Sequence, residues 1–140
     1  MVVGCLVFNT KEEIMLARRG IEPRKGFWNL PAGFLENNEG VENGAQREVL
    51  EETGAQVKMG KLHSIYNLIK AEQVYLFFRA EMIGEHYELT PESTEIQFFR
   101  IEDIPWDELA FSSNSHALKH WQEIKNGAKD EVSIGTLSNK

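Results

Sequence analysis

A chain of 140 residues, 41% apolar and 26% charged, has the length and balance of one globular domain, spanning residues 1–140 with its own core. A formal net charge of -7 argues against nucleic acid or an anionic membrane as the main partner. An acidic ligand would need local basic groups or bound cations. Cys5 is the single cysteine, which excludes an internal disulfide and points to a reducing, cytoplasmic setting.

Val2 to Phe8 is a continuous β-prone run, as expected for a central strand, and is too short to span a membrane. Asn9 to Glu13 is a polar turn, and Ile14 to Arg19 pairs back as a hairpin strand. Gly20 to Gly26 is a loop with Arg19, Arg24 and Lys25 nearby. Phe27 to Pro31 is a short extended segment, since a residue before proline avoids the helical region. Gly33, Asn37, Asn38 and Gly40 mark the next stretch as loop. From Val41 to Thr53 the pattern is helical, with Ala45, Val49 and Thr53 facing the core and Gly54 as the left-handed stop. Val57 to Ile69, Val74 to Ile83 and Glu95 to Ile101 read as strands. His116 to Ile124 reads as an amphipathic helix, and Val132 to Leu137 as a short final strand. Strands before and after an isolated helix give an α/β (α+β) sandwich, a mixed sheet covered by helices. His63, His86, His116 and His120 show no ligand spacing and read as surface residues.

The helix at Val41 to Thr53 carries the chemistry. At about 100° per residue, Glu51 and Glu52 lie about 60° and 40° to either side of Glu48, so all three carboxylates share one face. Like charges this close cost stability unless cations sit among them, and hard oxygen donors suit Mg²⁺ or Mn²⁺. Alone, such a triplet is more often a solvated acidic face. The upstream spacing changes that weighting: Gly33, Glu39, Arg47-Glu48 and Glu51-Glu52 recur at fixed intervals up to Gly54. Seven fixed residue types at fixed spacing arise by chance at roughly one start in ten to a hundred million.

The segment Gly33 to Ala55 resembles the signature box of the Nudix hydrolases, with Ala55 standing where a larger aliphatic residue is usual. The resemblance implies an α/β/α sandwich with a loop-helix-loop catalytic box. It implies Glu48, Glu51 and Glu52 as metal-binding carboxylates, the Gly33 carbonyl as a further metal ligand, and Arg47 and Glu39 as orienting residues. Mg²⁺, with Mn²⁺ as substitute, is the implied cofactor. The general base varies within the family, between a box glutamate and a distant carboxylate; Glu95 is the candidate for base or fourth ligand, and Glu92 reads as a solvated loop charge.

Arg19 to Gly33, Glu102 to Pro105, Leu109 to Ser113 and the tail Ile134 to Lys140 are similar to the branch of ADP-ribose pyrophosphatase-like and plant-type FAD pyrophosphatase proteins. That similarity implies a nucleoside diphosphate linked to another group as substrate, and homodimers are common in the branch. Arg19 is the expected phosphate contact, with Arg18, Arg24 and Lys25 as weaker ones. Trp28 and Phe111 are expected either to stack on a substrate ring or to pack in the core. Members of the branch commonly carry a zinc ribbon before the first strand, so the chain is expected either to work without one or to start inside a longer protein. Two other readings stay open: a housecleaning pyrophosphatase acting on nucleoside triphosphates, and a nucleotide-sensing domain without catalysis.

Overall fold

The computed structural model describes residues 1–137. The last three residues of the tail, Ser138, Asn139 and Lys140, lie outside them. The elements run β1 (Val2–Phe8), β2 (Ile14–Arg19), β3 (Trp28–Asn29), β4 (Ala32–Phe34), α1 (Val41–Thr53), β5 (Val57–Leu68), β6 (Gln73–Met82), β7 (Ser93–Phe99), α2 (Ser112–Lys125) and β8 (Ser133–Leu137). Two short 3₁₀ turns, Ile101–Asp103 and Trp106–Glu108, precede α2. No helix among the described residues is long and apolar enough to cross a membrane.

The sheet is mixed and eight-stranded, in the order β3-β2-β1-β6-β5-β8, with β4 on β1 and β7 on β2. β1 lies at its centre, and all seven of its residues are buried. An unbroken apolar run is the signature of a strand covered on both faces. Val3, Cys5 and Val7 point to one side, where they meet Ala45 and Val49 of α1. Leu6 and Phe8 point to the other and meet Ala117 and Leu118 of α2. The period of two in a strand thus sorts β1 into two cores and gives the expected α/β/α sandwich.

β1 and β2 touch only where the hairpin closes, at Phe8↔Ile14. Beyond that point they diverge, and the chain from Trp28 to Phe34 crosses the gap. β3 pairs with β2 at Arg18↔Trp28, and β4 pairs with β1 at Val3↔Gly33. The crossing is tight. The Cys5 N–H donates to the Pro31 carbonyl at 3.1 Å, and a Cβ on Gly4 would stand 2.3 Å from that same oxygen. Only glycine fits at position 4.

α1 has the bounds that its periodicity predicts. Gly54 (φ 70°) closes it, donating its N–H to the Leu50 carbonyl at 2.9 Å. Three other elements depart from expectation. α2 begins at Ser112, four residues before His116, because its first turn is polar and carries no apolar period, although Ser113 and Asn114 are buried. β7 runs Ser93–Phe99, two residues earlier at each end than the expected Glu95 to Ile101. The loop expected from Gly33 onward opens with β4, whose pairing is set by β1 rather than by its own sequence.

The histidines also differ from their surface reading. His63 is fully buried and His120 nearly so, with ring centroids 4.7 Å apart; His86 alone is well exposed. His63 Nδ1 accepts from Arg79 Nε at 3.1 Å, and its Nε2 donates to the Ala117 carbonyl at 2.8 Å. His120 Nε2 donates to the Glu131 carbonyl. Arg79 also grips Asp130 with both terminal nitrogens, at 2.6 and 3.1 Å. Together these contacts tie β5, β6 and α2 to the segment that leads into β8.

Burial, more than any neighbouring charge, pulls the His63 pKa from 6.5 down to about 4. A histidine whose folded pKa is lowered stabilises the fold above its unfolded pKa and loses that contribution as pH falls toward the folded value. Urea unfolding is therefore expected to show a loss of up to about 3 kcal/mol between pH 6.5 and pH 4. A His63→Gln variant, measured the same way, is expected to show a shallower slope across that window. An unchanged slope would mean that the loss arises elsewhere.

Candidate active site

Two of the three box glutamates, Glu48 and Glu52, project from α1 beside its buried stripe and meet the crossing segment at Gly33 and Ala32. Glu48 is buried with its carboxylate against Gly33; a Cβ on Gly33 would lie 2.2 Å from the Glu48 carboxyl carbon. Glu52, one turn further on, accepts the Ala32 N–H at 3.3 Å. Glu51 lies to one side, with its side chain 57% exposed.

Arg47 organises this face. Its Nε and Nη2 form a fork on the Glu39 carboxylate at 2.6 and 3.0 Å, and Nη2 also donates to the Phe34 carbonyl. Nη1 reaches Glu48 and Glu51, each at 3.0 Å. The planar guanidinium serves two helix carboxylates, the loop and β4 at once, which a lysine ammonium does not match. The Glu39 carboxylate caps the preceding loop through the Glu36 N–H at 3.1 Å, and its pKa is lowered, chiefly by the Arg47 hydrogen bond.

Glu48 and Glu52 titrate as a pair. Burial first, and then the neighbouring Glu48 charge, push the Glu52 carboxyl well above the usual carboxylate range, and the Glu92 charge adds to the effect. Burial raises Glu48 too, against the opposing pull of Arg47. Two carboxyls this close share a proton rather than both ionise. A divalent cation relieves the same repulsion, and buried hard oxygens around a glycine cradle fit one. Among the described residues, no three His, Cys, Asp or Glu side chains already stand close enough to hold an ion together. Glu51, exposed and turned to Arg47, is the member of the expected set with room to swing inward.

The remaining predicted residues fall elsewhere. Glu95 stands opposite Arg18 in the β2–β7 ladder, within 3.3 Å of its Nη1, and accepts from Gln97. Glu92 lies on the loop before β7, where its carbonyl accepts the Gly20 N–H at 2.8 Å. It is the carboxylate outside the box whose charge Glu52 feels, a proximity that no local spacing announces. Trp28 is 3% exposed in the α2-side core, edge-on to Phe99, with the Arg18 guanidinium 4.7 Å from its ring centre. Of the two roles expected for it, it fills the packing one, and no open face is left for a ligand. Phe111 is partly exposed beside the Arg19 guanidinium, 5.3 Å from its ring centre. A cavity of about 610 Å³ lies at the far end of β1 from Gly33, lined by Phe8, Lys58, Met59, Arg79, Met82 and Trp121, and takes no part in this site.

The NUDIX domain family matches residues 1–121. The ADP-ribose pyrophosphatase of Methanocaldococcus jannaschii is 30% identical over 86% of this chain and 72% of its own length. Nudix hydrolase 6 of Arabidopsis thaliana is 29% identical over 99% of this chain, which spans 54% of that protein. The crystal structure of a NUDIX hydrolase from Nitrosomonas europaea superposes with a TM-score of 0.92 at 36% identity, over 99% of this chain and 78% of that one.

Gly33→Ala gives a direct test of the cradle. The added methyl meets the far end of a flexible side chain, so the fold can absorb it, whereas the Glu48 carboxylate cannot stay in place. The melting temperature is expected to move by only about 2 °C, while turnover falls by about tenfold or more. Full activity in this variant would show that Glu48 does not need its place against Gly33.

Proposed function

Because the chain belongs to the NUDIX family of hydrolases, we propose that it cuts the phosphoanhydride bond of a nucleoside diphosphate linked to a second group, with ADP-ribose as the type of substrate. The products are a mononucleotide and a phosphorylated remainder. The observation that carries this reading is the Glu48–Glu52 pair, buried at Glu48 and partly buried at Glu52, held against Gly33 and Ala32 with Arg47 beside it. Two acidic groups in so little water are unfavourable in a fold that does not use them. The name of the Methanocaldococcus relative supports the substrate class.

Hydrolases of this family generally use divalent metal ions, and Mg²⁺ is the one proposed here. Glu48, Glu51 and Glu52 would hold it, with the Gly33 carbonyl as a further ligand. When bound, it supplies charge neutralisation on the phosphate oxygens and lowers the pKa of attacking water. The chain's own contribution is orientation. Arg47 fixes the Glu48 carboxylate from one side and the Gly33 cradle confines it from the other. The Ala32 N–H orients Glu52. A carboxylate must also take the proton of the attacking water, and the carboxylates available are Glu51 within the box and Glu95 or Glu92 on the β7 side.

A panel of ADP-ribose, FAD, NADH and nucleoside triphosphates, read by phosphate release through a coupled phosphatase with Mg²⁺ or Mn²⁺, tests the reading. ADP-ribose or another diphosphate-linked nucleotide is expected to turn over fastest. Glu52→Gln is expected to lower that rate by about 100-fold or more. A preference for triphosphates would overturn the substrate class, and full activity of Glu52→Gln would overturn the metal role.

The base is found by comparing Glu51→Gln, Glu92→Gln and Glu95→Gln. The variant that removes it is expected to lose about 10² to 10⁴ in kcat with little change in KM. Losses below tenfold in all three would place the base outside this set.

A further inference from the structure

In a chain with 22 acidic and 15 basic residues, an arginine has carboxylates to choose from. Four of the six arginines take one: Arg18 pairs with Glu95, Arg47 with Glu39, Arg79 with Asp130 and Arg100 with Asp103. Arg19 and Arg24 take none among the described residues. Each commits its Nε to a backbone carbonyl instead, Arg19 to Pro23 at 2.7 Å and Arg24 to Ala110 at 2.9 Å. Each also lies against a ring, Arg19 5.3 Å from the centre of Phe111 and Arg24 4.2 Å from the centre of Phe27. A guanidinium fixed at Nε and along one face keeps both Nη groups for another partner.

The two arginines belong together. Pro23 precedes Arg24 and Ala110 precedes Phe111, so the partners of one guanidinium adjoin those of the other. The backbone aims both. β2 shifts register between Arg18 and Arg19. Strict alternation would send these neighbours to opposite faces; with the bulge, Arg18 covers Trp28 and Arg19 reaches Phe111, at the start of α2. Arg24 holds φ 63°, a left-handed conformation that costs a residue with a Cβ about 1–2 kcal/mol. The one carboxylate on this loop, Glu22, is turned to the Lys25 N–H at 3.4 Å. The loop stands at the end of the sheet that carries the box: the Gly20 N–H donates to the Glu92 carbonyl at 2.8 Å, and the Glu92 charge reaches Glu52.

We propose that Arg19 and Arg24 form an anion subsite, separate from the box glutamates, that takes a phosphoryl group through their Nη groups. The planar edge of a guanidinium meets two phosphate oxygens as a fork, and the fixed Nε contacts hold both edges in place before the anion arrives. The phosphoryl group belongs to a nucleotide substrate or to a free phosphate; the chemistry of recognition is the same. The subsite goes beyond the reading of the box and does not depend on it.

The test is a titration of ¹⁵N-labelled protein with inorganic pyrophosphate in EDTA and about 0.1 M salt, followed at the arginine Nε–H signals. Without a metal the box carboxylates repel the anion, so binding reads the arginines alone. The Arg19 and Arg24 signals are expected to move together and to saturate, while that of Arg100, exposed and paired with Asp103, stays in place. Arg19→Gln and Arg24→Gln, each checked by its melting temperature, are expected to weaken binding by about tenfold, and Arg24→Lys, which keeps the charge and loses the fork, by several-fold. Signals that do not saturate or move no more than that of Arg100, or binding that survives both glutamine substitutions, overturn the subsite. The source follows from kinetics on the panel's best substrate. A KM raised by about tenfold in Arg19→Gln and Arg24→Gln with kcat unchanged assigns the phosphoryl group to the substrate, and an unchanged KM beside lost pyrophosphate binding assigns it to free phosphate. If nothing on the panel is turned over, the functional reading fails separately and the titration still decides the subsite.

Discussion

Glu48 and Glu52 stand one helical turn apart with little water between them, and each makes the other harder to ionise. The rest of the functional end is arranged around that repulsion. Arg47 offsets part of it from one side, and is itself held by Glu39 and the Phe34 carbonyl, so that the helix, the loop before it and β4 share one guanidinium. The Ala32 N–H offsets another part from the sheet side. A site built this way carries an electrostatic load that a bound cation would relieve. The same load is what would make binding of that cation favourable.

The load can be carried because the framework beneath it is apolar and continuous. Ala45 and Val49 lock the adjoining side of α1 to β1, and the carboxylates have no freedom to move apart by rolling the helix. The splay between β1 and β2 supplies the remaining requirement. It gives the crossing segment a path through the sheet, which brings the Gly33 backbone to the helix face and keeps Trp28 in the opposite core.

The box was legible in the sequence because its information is local. Four glutamates, an arginine and two glycines within one loop and helix fix their own relative geometry, and α1 keeps the bounds that its period gives. What escaped depends on distant partners. The salt bridge between Arg18 and Glu95 links residues 77 apart, and His63 bonds a carbonyl 54 residues away. A histidine on a polar-looking helix reads as surface until the strand beneath it is known. Trp28 carried two readings because a tryptophan's composition is the same in a core and in a binding site; only the pairing of β3 with β2 decides. The polar first turn of α2 and the two-residue crossover between β3 and β4 likewise have no periodicity to detect.

The crossing segment also sets which insertions the fold can tolerate. The loop from Gly20 to Gly26 leaves and re-enters β2's neighbourhood at the surface, so residues added there lengthen an exposed loop and leave the registers of β3 and β4 intact. A single residue added between Asn29 and Ala32 has no such outlet. It would reverse the facing of every side chain from Ala32 to Phe34, or force a bulge where Gly4 already touches the Pro31 oxygen. Variation in ligand preference among chains of this shape should therefore accumulate as length changes in the first loop, while the spacing from Trp28 to Gly33 stays constant.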